Sequence, residues 1–183
     1  MLADKDLLHL CKQNNAGGQA ALYTKYKSRL MGICRRYARD VEDAEDIFQE
    51  GFIKVFQRIH QLENDDLVWP WMKRVFVNTA IDYYNKYIKN GGYENYDSVQ
   101  IANDDFESIT QQMTNIELVQ VINELPVGCR TVFNLYVIDG YTHPQISELL
   151  GITDGTSKAH LSHAKTMLRA KLKKLGIVRY EKF

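Results

Sequence analysis

The sequence has little glycine and proline, with 11 and 3 residues among 183, so few positions break regular secondary structure. It contains no run of about eighteen apolar residues that would cross a membrane, and no apolar signal segment follows a basic start. We therefore expect a cytoplasmic protein that does not insert into a membrane. Its three cysteines, Cys11, Cys34 and Cys129, are far apart and form no CxxC pair. This spacing argues against a disulfide framework or a thiolate zinc site, and we expect buried thiols.

Neither sign of charge is in excess, since 23 lysine and arginine residues equal 23 aspartate and glutamate residues. The net charge alone therefore does not indicate a nucleic-acid-binding protein. The charges are instead sorted along the chain. Every charge in residues 40–50 is negative, residues 91–124 hold seven carboxylates and no lysine or arginine, and nearly all charges in residues 158–182 are positive. This order predicts separate faces for different partners.

Residues 40–60 predict the helix that is most informative about function. Apolar residues recur there every three or four positions, which is the period of a helix with one buried stripe. Asp40 is placed to cap the helix, because its oxygen can accept from the free amides of the first turn. The spacing i, i+3, i+4 and i+7 gives an exposed face of Asp46, Gln49, Glu50 and Ile53. Such a face suits a basic partner helix, while the simpler interpretation is a solvated charged surface.

Trp69, Pro70 and Trp71 open a further predicted helix, with the proline in the first turn, where it is tolerated. The outward side of this helix combines cations, amides and an acid: Lys73, Arg74, Asn78, Asp82, Asn85, Lys86 and Lys89. With the aromatic residues, this set suits single-stranded DNA, because phosphates need cations and unstacked bases need flat, hydrogen-bonding partners. A tryptophan at helical spacing is more often a core residue, and we interpret Trp71 in that way.

Residues 91–114 lack periodicity and are acidic and polar, which is typical of a linker. We therefore predict an all-α fold with two small helical domains, residues 1–90 and 115–183, joined by this flexible acidic linker. In the first domain a short helix should cover residues 4–15 and be ended by Asn14, Asn15 and the Gly17-Gly18 pair. In the second, helices are predicted for residues 115–124 and 130–138, the latter ended by Gly140.

Residues 141–174 predict that the C-terminal domain is a helix-turn-helix. Thr142 and Gln145 have the spacing of a capping box, Gly151 makes the turn, and Thr153 caps a second helix. The buried seam of that helix is Leu161, Ala164, Leu168 and Leu172. The residues predicted to meet base edges or phosphates of DNA are Thr156, Lys158, Ala159, His160, Ser162, His163 and Lys165. The simpler alternative is a basic helix that only solvates the surface, which the preceding turn and cap disfavour.

No metal or cofactor site is predicted. His160 and His163 are three residues apart, which suits zinc, but no cysteine or carboxylate accompanies them. The carboxylates of residues 43–50 suggest the metal site of a nuclease as an alternative. They lack a histidine or lysine partner that would activate a nucleophile, so we do not favour this alternative.

Three stretches resemble, in the same order, the bacterial RNA polymerase sigma factors of the extracytoplasmic-function (ECF) group. DAEDIFQEGFIKVF, residues 43–56, is similar to their core-polymerase-binding helix. WPWMKRVFVNTAIDYYNKY, residues 69–87, is similar to the part that melts and reads the minus-ten promoter element. Residues 125–172, from LPVGCRTVF to LRAKL, look like region four, which reads the minus-thirty-five element.

The resemblance implies a role for each predicted surface. Asp43, Asp46, Gln49 and Glu50, with Ile53, would face the clamp helices of the largest subunit of core RNA polymerase. Asn78, its neighbours and the loop of residues 61–68 would hold a flipped minus-ten base. The residues expected to contact minus-ten DNA are Trp69, Lys73, Asn78, Asp82, Asn85 and Lys86. The resemblance also implies three further partners: the flap of the second-largest polymerase subunit, promoter DNA and an anti-sigma protein. The activity would be binding rather than enzymatic catalysis.

The chain departs from the family pattern at several positions. Ser157 stands where a valine is usual, and His160 and His163 stand where arginines are usual, so phosphate affinity should be lower and more pH-sensitive. Gly51 lies inside the polymerase-binding helix, where glycine costs about 1 kcal/mol relative to alanine. An autonomous helix-turn-helix regulator is the alternative function, but it leaves the acidic face without a purpose.

Overall fold

The computed structural model describes residues 4–88 and 120–175, with the side chains of residues 87 and 88 left out. The chain divides into two compact units, residues 1–88 and 89–183. The described residues are helical and form no strand, which confirms the predicted all-α class. No helix among them is long and apolar enough to cross a membrane. The linker predicted for residues 91–114 lies outside the described residues.

Unit 1 contains four helices, α1 (Asp4–Lys12), α2 (Ala16–Tyr37), α3 (Val41–Arg58) and α4 (Val68–Tyr83). Between α3 and α4 the chain makes two short 3₁₀ turns, Ile59–Gln61 and Asp65–Leu67, and a π-helical turn, Tyr84–Ile88, continues α4. Helices α2, α3 and α4 pack against one another, and α1 packs on α2. Their shared core includes Leu22, Leu30, Ile33, Ile47, Phe52, Val55, Met72, Phe76 and Ala80. The predicted apolar stripes of α3 and α4 therefore face this core.

The α1–α2 junction differs from the prediction. Helix α1 ends at Lys12, and Asn15 caps α2 by accepting a hydrogen bond from the Gly18 amide at 2.9 Å. Gly17 and Gly18 thus lie inside α2 rather than ending α1, so that prediction was wrong. A Cβ on Gly18 would lie 2.4 Å from Leu10 Cβ. Glycine is needed here because the two helices approach closely, not because the chain must break.

Helix α3 begins as predicted, with the Asp40 carboxylate accepting from the Asp43 amide at 2.8 Å. The structure also gives the reason for Gly51. A Cβ at this position would lie 2.6–2.8 Å from three ring atoms of Phe76, which is fully buried in α4. The lost helix propensity of glycine is offset because α4 can pack directly on the α3 backbone.

Unit 2 contains α5 (Val127–Phe133), a π-helical turn (Asn134–Ile138), α6 (His143–Leu150) and α7 (Asp154–Lys174). Helix α5 starts earlier than predicted, and of the helix predicted for residues 115–124 only 120–123 are described as helical. Gly140 and Gly151 adopt φ of 77° and 59°, the left-handed conformation that favours glycine. The predicted seam of α7, Leu161, Ala164, Leu168 and Leu172, is buried, and Ser157 and His160 are buried as well.

The predicted helix-turn-helix is confirmed by its local geometry. Thr142 and Gln145 form a reciprocal capping box at the start of α6. Gly151 ends α6, and the Thr153 hydroxyl accepts from the Thr156 amide at 3.1 Å to cap α7. Helix α7 packs against both α5 and α6. The outer face of the N-terminal half of α7 is thereby held clear of the core.

We expect Gly51→Ala to destabilise the protein by about 1–3 kcal/mol, because the added methyl group overpacks the buried ring of Phe76. Gly32→Ala is the matched control, since Gly32 is also inside a helix but a Cβ there meets nothing within 4 Å. It should stabilise the protein by about 0.5–1 kcal/mol through helix propensity. Urea unfolding followed by circular dichroism measures both. A Gly51→Ala variant as stable as the wild type would contradict the close packing of α3 and α4.

Candidate binding surfaces

Asp43 is buried in unit 1 and does not belong to an exposed acidic face. Its carboxylate accepts hydrogen bonds from Arg39 Nε at 2.7 Å, Arg39 Nη2 at 3.0 Å and the Tyr83 hydroxyl at 2.7 Å. The Arg39 amide also donates to it at 3.2 Å. The side chain is only 6% exposed. The expectation that Asp43 faces a partner protein is therefore corrected, because its oxygens are already bonded inside the unit.

The ionisation of this cluster follows from its hydrogen bonds. The Arg39 guanidinium, by donating to the carboxylate, holds the pKa of Asp43 below its ordinary value despite the opposing effect of burial. The hydrogen bond to Asp43, together with burial, raises the pKa of Tyr83 to about 12. Asp43 is thus ionised and Tyr83 neutral at physiological pH. The cluster ties the α2–α3 junction, which carries Arg39, to the end of α4.

The other predicted polymerase-binding residues share one open groove between α3 and α4. Asp46, Gln49, Glu50 and Ile53 are exposed on the α3 side, and Ile53 is 53% exposed. Four residues of the α4 segment line the same groove: Thr79, Asp82, Tyr83 and Lys86. Its volume is about 330 Å³. Three carboxylates, two lysines and one exposed apolar side chain line the groove. Its α3 side carries Asp46 and Glu50, which suits a basic, partly apolar helix.

A second groove of about 290 Å³ lies beside the first, and Lys54, Thr79 and Asp82 line both. Lys54 Nζ lies 3.0 Å from Asp82 and 3.5 Å from Glu50, so this lysine sits at the boundary between them. The remaining lining residues are Arg58, Gln61, Trp71, Arg74, Val75 and Asn78. This groove combines two arginines, an aromatic ring and two amides. Such a set can bind phosphates and unstacked bases at once.

Sequence reasoning missed part of this second groove. Arg58 lies at the end of α3, before the loop, and was not included in any predicted site. Trp71 was interpreted as core, yet it is partly exposed and lines the groove. The spacing of Trp71, Arg74 and Asn78 at i, i+3 and i+7 was the available signal, because these positions share one helix face.

Three members of the predicted minus-ten set, Trp69, Lys73 and Asn85, line neither groove. The Arg29 guanidinium lies 3.7 Å from the centre of the Trp69 ring, and Tyr26 stacks on the same ring at 6.0 Å. Trp69 therefore packs against α2, and Lys73 follows it one turn later. Asn78 is nine residues after Trp69, which places it about half a turn away around the helix. Asn78, Asp82 and Lys86 line the grooves, whereas Trp69 lies on the opposite side of α4 and Asn85 is half-buried in the π-helical turn.

The predicted loop of residues 61–68 is ordered by its two 3₁₀ turns. Asn64 accepts from the Asp66 amide at 3.0 Å, and the Leu67 amide donates to the Asn64 carbonyl at 3.0 Å. Leu62 and Val68 are buried at its two ends. The exposed residues between them are Glu63, Asn64, Asp66 and Leu67. Gln61 joins the loop to the second groove.

In unit 2, His160 is buried rather than placed beside DNA. It is 4% exposed, and its Nδ1 lies 3.5 Å from the Cys129 sulfur in α5. Burial, together with the charge of His163, lowers the pKa of His160, so the ring is neutral at physiological pH. The prediction that His160 meets phosphates was wrong, because its position on α7 faces α5. All three cysteines are free and buried, as expected.

Ser157 has a structural explanation. It is fully buried, and its hydroxyl oxygen lies 2.9 Å from Nδ1 of His143, at the start of α6. The His143 ring also stacks on Tyr136 at 4.5 Å. Burial and the nearby Lys158 ammonium lower the pKa of His143. The Ser157 hydroxyl therefore pairs with this histidine, which joins α6 to α7.

The remaining predicted residues of the helix-turn-helix lie where DNA could reach them. Lys158 is exposed, and Thr156, Ala159, Ser162, His163 and Lys165 are partly exposed. Thr156 also takes part in the cap, with its hydroxyl 2.9 Å from that of Thr153. Short side chains beside a lysine allow α7 to approach base edges closely. Among the residues that the structure describes, no group of three or more His, Cys, Asp or Glu side chains is placed to hold a metal ion.

Comparisons with known proteins match both units. Residues 22–87 match the family model for sigma-70 region 2, and residues 115–168 match that for sigma-70 region 4. An ECF RNA polymerase sigma-E factor of Haemophilus influenzae is 26% identical over 95% of this chain and 97% of its own length. An RNA polymerase sigma-H factor of Pseudomonas aeruginosa is 24% identical over 94% and 95%, respectively. A solved structure of CnrH in complex with the cytosolic domain of CnrY is 17% identical with a TM-score of 0.49, covering 93% of this chain and 97% of that chain.

We expect Asp43→Asn to destabilise the protein by about 1–3 kcal/mol at neutral pH, because Arg39 and Tyr83 lose a charged acceptor. The folded-state pKa of Asp43 is lowered, so its stabilisation is complete above the ordinary aspartate pKa of about 3.9 and is lost as the pH falls towards the lowered value. The difference in unfolding free energy between wild type and variant should therefore shrink in acid. Asp46→Asn, which changes an exposed carboxylate on the same helix, should have little effect on stability. Equal effects of the two variants on unfolding would contradict the buried role of Asp43.

Proposed function

Because this chain belongs to the ECF group of RNA polymerase sigma factors, we propose that its two helical units divide promoter recognition between them. The chain is an RNA-polymerase-binding initiation factor and not an enzyme, so the nuclease alternative is wrong. An autonomous helix-turn-helix regulator is excluded on the same ground. Unit 1 would hold core polymerase and the minus-ten element, and unit 2 would read the minus-thirty-five element. This division is supported by the different chemistry of their exposed surfaces.

The polymerase-binding surface that we propose is the α3 side of the first groove. Asp46, Gln49, Glu50 and Ile53 would contact the clamp helices of the largest subunit. The exposure of all four residues, the negative charge of Asp46 and Glu50, and the apolar side chain of Ile53 support this assignment. Exposed carboxylates speed association with a basic helix, and an apolar contact slows dissociation. Asp43 would act indirectly, by fixing α3 against α4.

The second groove would hold the melted strand of the minus-ten element. Arg58 and Arg74 can bind phosphates, the Trp71 ring can stack on a base, and Asn78 can hydrogen-bond to a base edge. The loop of residues 61–68 borders this groove through Gln61. Unstacking a base costs a few kcal/mol, which these contacts would offset. The two grooves adjoin, so polymerase binding and strand capture would use the same pair of helices.

In unit 2, the outer face of α7 would enter the major groove at the minus-thirty-five element. Lys158, Ala159, Ser162 and His163 are the candidates for base contacts, with Lys165 at the side. Tyr136, Val137 and Ile138 form a separate exposed apolar set, with 40–42% of each side chain exposed. We propose that this set meets the flap of the second-largest polymerase subunit, because exposed apolar clusters usually bind a partner.

Binding of an anti-sigma protein is a further proposal, and it follows from the family resemblance. Such a protein would act by covering surfaces that polymerase needs. The exposed apolar residues Ile53, Tyr136, Val137 and Ile138 are the strongest candidates for that contact. An inhibitor that covers both Ile53 and the Tyr136 set would block both proposed polymerase contacts.

Transcription in vitro with purified core polymerase tests the acidic face. The Asp46→Ala/Glu50→Ala double variant should lower polymerase affinity by about tenfold or more and weaken transcripts accordingly. Asp6→Ala, which removes an exposed carboxylate from α1, is the control for a general charge effect and should bind normally. Fluorescence anisotropy of the labelled protein gives the affinity. Polymerase affinity that is unchanged in the double variant would refute the assignment of this face.

Lys158→Ala tests the separation of roles between the units. It should cost about 1–3 kcal/mol of promoter binding by the polymerase complex, because one contact to DNA is lost. Affinity for core polymerase should be unchanged. Lys173→Ala, at the far end of α7, is the matched control and should retain promoter preference. Loss of polymerase affinity in Lys158→Ala would show that the two functions are not separated in this way.

A further inference from the structure

Lys12, the last residue of α1, reaches the loop of residues 61–68. Its ammonium group donates to the Leu62 carbonyl at 2.8 Å and to the Asp65 carboxylate at 3.0 Å. Leu62 directly follows the first 3₁₀ turn, and Asp65 is the first residue of the second 3₁₀ turn. A single side chain from a distant helix therefore bonds to the residue after the first turn and to the first residue of the second turn. The Lys12 and Asp65 side chains are only 30% and 28% exposed, so the ion pair is partly shielded from solvent.

We propose that Lys12 is a positioning residue that sets the promoter selectivity of unit 1 by fixing this loop. The inference rests on the proposed function, in which the loop borders the groove for the minus-ten strand. Lys12 itself does not touch DNA in this proposal. It acts through the loop, whose exposed side chains Glu63, Asn64, Asp66 and Leu67 are those that can meet a base.

The loop needs such an external anchor because its own hydrogen bonds are short-range. The Leu62 amide donates to the Ile59 carbonyl at 3.2 Å, and the Leu67 amide donates to the Asn64 carbonyl at 3.0 Å. Each bond closes one turn and leaves the angle between the turns to other contacts. Lys12 bonds to both Leu62 and Asp65, and so fixes this angle. A loop held in this way can discriminate between bases, because a displaced loop would meet several bases equally well.

The chemistry of the anchor suits a positioning role. A lysine ammonium has three donors, which allows it to bond to a carbonyl and a carboxylate together. Partial burial makes the Lys12–Asp65 pair less sensitive to salt than a fully exposed pair. Lys12→Met keeps most of the apolar stem but removes both bonds. The loop would then keep its buried ends, Leu62 and Val68, and its short-range hydrogen bonds, but would lose both bonds to α1.

The test compares transcription in vitro by core polymerase with the full-length wild type, Lys12→Met and Lys25→Met. Templates carry either a preferred minus-ten element or single-base changes in it, with the minus-thirty-five element unchanged. Lys25→Met is the matched control. Lys25, in α2, also forms a partly exposed ion pair with a residue of α1, Asp4, at 2.6 Å, but its partner lies outside the loop. We expect the preference for the matched minus-ten base to fall by about threefold or more in Lys12→Met only. Affinity for core polymerase should stay at the wild-type value in all three proteins.

Further variants separate positioning from a general loss of stability. Asp65→Asn weakens the ion pair but leaves the Leu62 bond, so it should reduce the base preference less than Lys12→Met does. If Lys12→Met does not fold, a reduced base preference in Asp65→Asn supports the proposal instead. Lys12→Arg should restore preference, since arginine can bond to both acceptors. Undiminished preference in both Lys12→Met and Asp65→Asn, or an equal loss in Lys25→Met, would overturn the proposal. A wild-type protein with no minus-ten preference at all would instead overturn the proposed function, and this inference with it.

Discussion

The buried carboxylate of Asp43 is the interaction on which the arrangement of unit 1 depends. It accepts from Arg39 at the α2–α3 junction and from Tyr83 at the end of α4. A buried ion is stable only if its hydrogen bonds are made, so the carboxylate requires the α2–α3 junction and α4 to be in place together. The exposed acids of α3 and the groove residues of α4 are consequently held at fixed separations. Preformed surfaces bind a partner without first having to be ordered.

Close packing at Gly51 complements this polar cluster. Asp43 fixes the first turns of α3 to the end of α4, whereas Gly51 lets Phe76 reach the α3 backbone further along. Two contacts of different kinds define the angle between the helices better than either would alone. In unit 2 the equivalent task falls to Ser157 and His143, together with the left-handed Gly151. Both units thus use buried polar contacts and one glycine to fix the helices that carry their candidate binding surfaces.

The sequence alone predicts those features that depend on neighbours within one helix. The α3 stripe, the Asp40 cap, the Thr142–Gln145 capping box and the turn at Gly151 follow from spacing of a few residues, and the structure contains each of them. Asp43 and His160 were misplaced for the opposite reason. Each resembles its exposed neighbours on the helix. Asp43 is buried against Tyr83, 40 positions away, and His160 is buried against Cys129, 31 positions away. No periodicity within one helix carries that information.

The same limit explains why the second groove was only partly foreseen. Arg58 belongs to α3 and Arg74 to α4, and their convergence depends on how these helices cross, not on the sequence of either one. Trp69 and Trp71 are two residues apart with the same chemistry, yet the helix turns about 200° between them. One therefore stacks under Arg29 on the side of α4 that faces α2, and the other faces the groove. The proposed selectivity of this unit for DNA would thus depend on tertiary contacts that place ordinary side chains, rather than on unusual residues in the groove.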